Sequence, residues 1–210
     1  MEDLLALYQR PYDAQRPGVC MDELCKQLIA ETRVPLPVRE GHPPCYDYEY
    51  ERKGVCSLFV FVEPRRGWRQ VFVRDRRTKV DWARCVRVIL NEVYPDALCG
   101  RLVQDNLNTH TLASLYEAFL PEEARRLARR LELHYTPKHG SWLNQAEIEI
   151  GLFARQCLGT RRIPDLKRLR RESRAWNRRM NHDQIKITWQ FDRRAARRKF
   201  GYKYKSFKQS

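Results

Sequence analysis

Short apolar runs bounded by polar turns predict the strands of the protein. Val55–Val62 is rich in β-branched and aromatic residues, and Trp68–Val73 follows a turn as its hairpin partner. Gly18–Ala30 is an extended segment that rises to Asp22, and another apolar run ends in Asp105. The predicted strands therefore lie in residues 18–30, 55–62, 68–73, 102–105 and 131–136.

Apolar residues at helical spacing predict the remaining elements. Trp82, Cys85, Val86 and Ile89 share one face of a helix over residues 81–94, with Thr78 or Asp81 as its cap. Further helices are predicted at residues 111–131, interrupted near Pro121, and at 142–158 and 164–181, whereas residues 31–53 form an irregular connection. This order of strands and helices predicts an α/β fold with a mixed sheet flanked by helices.

Three acidic positions suggest a metal site. Asp22 lies among apolar residues, where an unpaired charge is costly unless it meets a metal or another cation. Asp105 ends a strand, the place where α/β proteins hold ligands, although such aspartates are more often caps or turn residues. Glu147 and Glu149 lie about 200° apart on one helix, so only one of them faces the site, and periodicity does not choose between them. Such oxygen ligands suit two Mg²⁺ or Mn²⁺ ions that catalyse phosphoryl transfer.

The charge of the chain is concentrated at one end. Residues 161–210 contain 18 Lys and Arg against 4 Asp and Glu, whereas the first 160 residues hold 23 against 22. A basic end with interleaved aromatic residues favours a polyanionic partner, most simply nucleic acid, over a solvated tail that aids solubility. The aromatic residues there, Phe200, Tyr202, Tyr204 and Phe207, would either stack on exposed bases or pack on a partner subunit.

Cysteine spacing and hydropathy limit the setting in which the protein works. The seven cysteines show no CxxC pair, so reduced and mostly buried thiols are favoured over a structural zinc site. The chain has no signal peptide and no apolar run long enough to span a bilayer. We expect a cytoplasmic protein.

Four segments carry a family resemblance: Val19–Glu23, Tyr48–Gly54, Gln104–His110 and, most specifically, Tyr135–Glu147 with its sequence YTPKHGSWLNQAE. They resemble a DDE transposase of the bacterial insertion-sequence (IS-six-thirty) branch of the mariner-like superfamily. The resemblance covers most of residues 17–160. It implies a ribonuclease-H-like fold, cleavage at transposon ends, and strand transfer of the freed 3′-hydroxyl into target DNA.

The resemblance also implies roles for single residues. Asp22 would bridge two metal ions, Asp105 would bind one of them, and Glu147 the other. Leu143–Glu147 matches the position of the family's Leu-Asn-Pro-Ile-Glu motif, which favours Glu147 over Glu149, although Gln and Ala replace Pro and Ile. His110 would orient DNA or the Asp105 loop, or would be a structural histidine, and Lys138 and His139 would contact phosphate or lie beside the site without a role.

The resemblance implies DNA as the partner, as transposon ends and target, and we expect a homodimer on DNA in the bacterial nucleoid. Three regions are predicted: a linker helix at 1–16, a catalytic domain at 17–160, and a basic helical extension at 161–210. Complete relatives carry helix-turn-helix end-binding domains, which we expect to be missing from this chain. The candidate DNA-contacting residues of the extension are Arg161, Arg162, Arg193, Arg194, Arg197, Arg198 and Lys199, together with the Lys167–Arg179 helix.

Two other functions fit the same pattern of residues. A catalytically inactive DNA-binding remnant of a transposase would keep the carboxylates without the activity. A ribonuclease of the same fold would use the same metal site on RNA or on a hybrid, but the sequence shows no feature that senses a 2′-hydroxyl.

Overall fold

The computed structural model describes residues 1–201 and contains one five-stranded sheet. The strands are β1 (Gly18–Glu31), β2 (Tyr50–Glu63), β3 (Trp68–Arg74), β4 (Gly100–Gln104) and β5 (Leu131–Tyr135). Their order is β3-β2-β1-β4-β5, in which β1, β2 and β3 are antiparallel and β4 lies parallel to both β1 and β5. The predicted mixed sheet is thereby confirmed.

The β1–β2 hairpin is longer than the sequence pattern predicts. β2 begins at Tyr50, five residues before the predicted start at Val55, whereas β1 spans nearly the predicted range, and Asp22 pairs with Val60 within the ladder. A strand tolerates a carboxylate there because successive side chains point to opposite faces while the backbone stays paired. Residues 32–49 form the predicted irregular connection, with isolated bridges between Leu36 and Cys45 and between Arg39 and His42.

Seven α-helices accompany the sheet within residues 1–201. They are α1 (Glu2–Gln9), α2 (Lys79–Val88), α3 (Leu112–Ala118), α4 (Pro121–Arg129), α5 (Ala146–Phe153), α6 (Leu166–His182) and α7 (Arg193–Phe200). Thr78 caps α2 through a reciprocal pair of hydrogen bonds with Asp81, so both predicted cap residues take part. α3 and α4 are separated before Pro121, as predicted.

Each face of the sheet is covered by a different helix layer. One face packs on α2, α3 and α4 around Phe59, Phe61 and Trp82. The other packs on α5 and α6, with Phe153 and Trp176 in edge-to-face contact. α1, predicted as a linker helix, places Leu4 and Leu5 fully inside a third apolar cluster that also holds Ala196 of α7. Burying a leucine side chain stabilises a fold by roughly 1.5–3 kcal/mol, so α1 contributes to the stability of the packed core.

The structure also shows the state of the cysteines and the apolar character of the helices. All seven cysteines are free, and Cys20, Cys56, Cys85 and Cys157 are buried, whereas Cys25 and Cys45 are exposed. In the part of the chain that the structure describes, no helix combines the length and the apolar character that crossing a bilayer requires.

Candidate active site

Two parallel strands bring Asp22 and Asp105 to the same level of the sheet. The last pair in the ladder between β1 and β4 joins Cys20 to Val103. Asp22 lies two residues beyond Cys20, and Asp105 lies two residues beyond Val103. Because neighbouring strands are about 4.8 Å apart, equal offsets place the two carboxylates side by side where β4 ends. The crevice beyond the carboxyl ends of such strands is the usual ligand site of α/β proteins.

The segment before α5 brings Glu147 to the two aspartates. Asn144 donates its side-chain N–H to the carbonyl oxygen of Met21 at 2.8 Å and to Oδ2 of Asp22 at 3.3 Å, and its own Oδ1 accepts the Ala146 N–H. These bonds hold the start of α5 against β1, which explains why the helix begins at Ala146 and not at Trp142. Asn144 was not singled out by the sequence analysis, although it lies in the Leu143–Glu147 motif.

The pKa of Asp22 responds to its burial and to the charges of the neighbouring acids. Burial raises the pKa of Asp22, and the negative charges of Asp105, Glu147 and Glu23 raise it further, to about 6, against a hydrogen bond from the Glu23 N–H that lowers it. Repulsion of this kind arises when carboxylates from separate elements share one site, and such shifts are characteristic of functional sites. The charges of Asp105 and Glu147 therefore act on Asp22, and we refer to these three acids as the cluster.

Glu149 lies outside this cluster. Its side chain is fully buried, and its Oε1 accepts a 2.7 Å hydrogen bond from Nε of Arg69, which is also fully buried. Arg69 donates further bonds to the carbonyl oxygens of Gly67, Met180 and Ile185. Glu149 thus joins α5 to β3 and to the end of α6, while Glu147 is exposed on the same helix. Of the two glutamates that periodicity left open, only Glu147 is accessible to a ligand.

His110 joins Asp105 to a fourth acid. The ring, 1% exposed, places Nδ1 2.6 Å from Oδ1 of Asp105 and Nε2 2.9 Å from Oε1 of Glu23. Burial alone would lower the pKa of His110, but the two carboxylates outweigh burial and raise the pKa to about 9. The imidazolium then donates to both acids and fixes the Asp105 carboxylate. Burial leaves His110 no direct contact with DNA, so of the alternatives open from the sequence the geometry fits orientation of the Asp105 loop and a structural role.

The cluster offers oxygen ligands of the kind that Mg²⁺ and Mn²⁺ prefer. Within residues 1–201, no three His, Cys, Asp or Glu side chains converge closely enough to hold one ion among them. Asp22, Asp105 and Glu147 would therefore have to supply an ion with fewer than three carboxylates, with water as the remaining ligands. Mg²⁺ fits such a site because it keeps several waters and takes only one or two protein carboxylates.

Lys138 and His139 lie at the same edge of the sheet as the cluster. β5 runs parallel to β4, with Gln104 paired to Tyr135, and the Thr136 N–H donates to the carbonyl oxygen of Gln104. Both residues follow directly after this point and are exposed, with His139 in the left-handed region at φ 62°. Both residues therefore lie beyond the carboxyl end of β5, at the edge of the sheet where Asp105 follows β4.

The two arginines before α6 are engaged within the protein. Arg162 donates to Glu31 and to the carbonyl oxygens of Asp47 and Glu49, and its guanidinium lies over the Tyr50 ring. Arg161 donates to the carbonyl oxygen of Cys157 and pairs with Glu172. Arg162, with its side chain 19% exposed, binds the β1–β2 hairpin where β1 ends and β2 begins, which does not suit it to the DNA contact predicted from the sequence.

The remaining basic candidates lie on α6, where Lys167 and Arg179 are exposed, and on α7. Four basic residues of α7 are exposed, namely Arg193, Arg194, Arg198 and Lys199. Arg197 instead forms a bidentate ion pair with Glu2, with both N–O distances 2.8 Å. This pair joins the two ends of the described chain and holds α7 on α1. Tyr202, Tyr204 and Phe207 of the predicted tail lie outside the described residues.

The five-stranded mixed sheet carries one acid on its first strand, a second after its fourth strand and a third on the helix that follows its fifth. The sequence model of the DDE superfamily endonucleases matches residues 17–170, which is most of the chain. The chain therefore belongs to the DDE superfamily endonucleases. No curated protein matches the chain significantly in sequence.

Solved structures of the Mos1 mariner transposase share the fold. The paired-end complex of Mos1 with Mn aligns with a TM-score of 0.56 at 15% identity, over 88% of this chain and 55% of the Mos1 chain. The Mos1 strand transfer complex aligns with a TM-score of 0.57 at 14% identity. This chain thus spans about half the length of those proteins. The predicted ribonuclease-H-like fold is confirmed.

Proposed function

We propose that this chain is the catalytic part of a transposase of the IS-six-thirty branch, which cleaves DNA and transfers the freed 3′-hydroxyl to a target. The observation that carries the proposal is the cluster of Asp22, Asp105 and Glu147 within a DDE domain, where burial, and then the charges of Asp105 and Glu147, raise the pKa of Asp22 to about 6. No serine or cysteine nucleophile is required, because in such transfer a water or a 3′-hydroxyl attacks the phosphorus.

Asp22, Asp105 and Glu147 would hold two Mg²⁺ or Mn²⁺ ions, which when bound activate the attacking oxygen and stabilise the leaving oxygen. The neighbouring residues keep these carboxylates in place. Asn144 donates to Asp22, so that the first acid and the start of α5 move together. His110 donates to Asp105 from a site closed to solvent. Both hydrogen bonds restrict carboxylate rotation, and partners of this kind orient the ligands of a metal site.

DNA is the partner that the surface around the cluster fits. Lys138 and His139 flank the acids, and α7 adds four exposed basic residues. These groups would neutralise phosphates without reading bases, so that binding falls steeply with salt. The Mos1 structures of the same fold are complexes that include transposon ends and a strand transfer product, which supports DNA ends and target DNA as the two substrates. A homodimer on DNA, in the bacterial nucleoid, is part of the same proposal.

The test is strand nicking and strand transfer on a pre-cleaved transposon-end duplex with Mn²⁺. Wild type should act on the duplex, and Asp105→Asn should not, because an amide cannot supply the charge that an ion requires. DNA affinity should remain within a few-fold of wild type, since the phosphate-binding residues are unchanged. Glu132→Gln, at the opposite end of the neighbouring strand, is a matched control that should retain activity.

Absence of nicking in wild type, with salt-sensitive DNA binding retained, would favour the inactive DNA-binding remnant. Equal activity in wild type and Asp105→Asn would show that the cluster is not the active site. Faster cleavage of RNA or of an RNA–DNA hybrid than of DNA would favour the ribonuclease.

A further inference from the structure

An exposed aromatic cluster lies beside the candidate active site. Trp142, in the 3₁₀ turn Ser141–Leu143, contacts Phe191 with ring centres 5.5 Å apart and Phe200 with ring centres 6.1 Å apart. Phe191 and Phe200 also contact each other at 6.5 Å. We refer to these three side chains as the aromatic cluster.

The position of the cluster is fixed relative to the carboxylates. Trp142 is two residues before Asn144, whose side chain donates to Asp22. Two residues of chain span at most about 7 Å, so the Trp142 backbone lies within that distance of Asn144, which itself contacts Asp22. The Leu143 side chain between them is fully buried, and its carbonyl oxygen accepts a 2.8 Å bond from the Tyr8 hydroxyl, which anchors the turn.

The helix that supplies Phe200 is also anchored. Asp192 caps α7 by accepting the Ala195 N–H, Ala196 is fully buried, and Arg197 forms its ion pair with Glu2. Neither Trp142 nor Phe200 takes part in these contacts, which dock α7 on the body. Trp142 and Phe200 nevertheless remain 41% and 48% exposed, so the docking of α7 does not account for them fully. Large aromatic side chains that stay open beside a site are suited to recognition.

The charge around the cluster determines the chemistry of its partner. α7 has the sequence RRAARRKF, with five basic residues and no acid, and Lys199 immediately precedes Phe200. Lys138 and His139 precede Trp142 and are exposed. Aromatic faces within a basic surface are the combination by which proteins hold single-stranded nucleic acid, where bases stack on rings and cations follow the phosphates.

We propose that the aromatic cluster stacks an unpaired base of the DNA strand next to the scissile phosphate, with Trp142 and Phe200 as the stacking surfaces. The inference rests on the proposed function for the identity of the substrate. It adds a contact to an unpaired base at the cleaved end. Neither the carboxylates nor the phosphate-binding residues would provide such a contact. Stacking of this kind tolerates any base, because every base offers a π face.

The first test compares binding of a short labelled oligothymidylate with binding of an abasic strand of the same length, in EDTA and at constant salt. Wild type should bind the strand with bases about tenfold more tightly, the typical effect of one stacked base. Trp142→Ala should reduce this preference to about twofold or less, and Trp142→Phe should retain most of it. Tyr116→Ala, which removes a comparably exposed aromatic ring on α3, should leave the preference unchanged.

A photochemical measurement on wild type removes any dependence on how the variants fold. A strand that contains 5-iodouracil should crosslink to a peptide that contains Trp142 or Phe200, as identified by mass spectrometry. Crosslinks confined to other peptides, or equal affinity of wild type for the strands with and without bases, would overturn the inference. A base preference that survives in Trp142→Ala would also overturn it, and would leave the cluster as a surface for another protein.

These outcomes separate the inference from the proposed function. Binding in EDTA requires no catalysis, so a base preference that depends on Trp142, in a protein that never nicks DNA, would support the inference and contradict the activity. Nicking that depends on Asp105, without any base preference, would do the reverse.

Discussion

Glu147 and Glu149 are two residues apart on α5, yet they are in opposite environments. Glu149 is fully buried, and its charge is neutralised by Arg69 at 2.7 Å. Glu147 is exposed, and its charge adds to the repulsion that raises the pKa of Asp22. One carboxylate is therefore arranged for a stable fold, whereas the other is held near like charges at a cost in stability. Such a cost is typical of sites that are built for a ligand.

The sharpest test of this contrast replaces each glutamate by glutamine. Glu149→Gln leaves the Arg69 charge buried without its counter-ion, and removal of one partner of a buried pair typically costs about 3–5 kcal/mol. Urea denaturation should show this loss in the free energy of unfolding. Glu147→Gln should leave stability unchanged or slightly raised, since it removes a repulsion, and should reduce Mn²⁺-dependent nicking by at least about a hundredfold.

The opposite pattern would exchange the two roles. If Glu149→Gln unfolded at the wild-type urea concentration and lost nicking, Glu149 would be the functional acid. If Glu147→Gln retained full nicking, the third ligand would have to come from another residue. Activity of Glu149→Gln must be measured at a temperature at which circular dichroism shows it to be folded.

The contrast also explains what the sequence was able to predict. The β2–β3 hairpin and the cap of α2 depend on residues close together in the chain, and both were predicted correctly. The partner of Glu149 is 80 residues away in sequence, on β3, and a helical period treats both glutamates alike. The choice between them came from the resemblance, and the environment of Glu149 agrees with that choice.

Other features depended on contacts that no local pattern contains. The start of β2 was predicted at Val55, because charged residues precede the apolar run, but pairing with β1 extends β2 back to Tyr50. Arg162 appeared as one more basic residue, although its guanidinium binds the connection between β1 and β2. Charge composition thus indicated a polyanionic partner without showing which cations are free to meet it.

A smaller effect should follow from metal binding. An ion that binds only the folded protein stabilises it by about 2.7 kcal/mol at a concentration one hundred times its Kd. We expect Mn²⁺ to raise the thermal midpoint of wild type, and of Glu132→Gln as a control, but to have little effect on Asp22→Asn. An equal rise in all three proteins would indicate binding elsewhere on the chain.

The smallest expected effect is the pH dependence of stability without metal. The pKa of Asp22 is raised in the folded protein from 3.8 to about 6, so the folded state binds more protons than the unfolded state between these values. The stabilisation by the protonated carboxyl is therefore fully present below about pH 4 and is lost as the pH rises through 6. Because Asp22 is only partly buried, we expect a difference of about 1–2 kcal/mol relative to Asp22→Asn.

Urea denaturation in EDTA at pH 4.5 and pH 7.5 measures this difference. Wild type should lose stability relative to Asp22→Asn on going to the higher pH, and Glu147→Gln should reduce that loss, because one of the repelling charges is gone. Saturating Mn²⁺ at pH 7.5 should abolish the loss, since a cation between the carboxylates favours their ionised form. If wild type and Asp22→Asn instead followed the same pH course, the acids would not be close enough to act on one another. The contrast between Glu147 and Glu149 would then be one of burial alone.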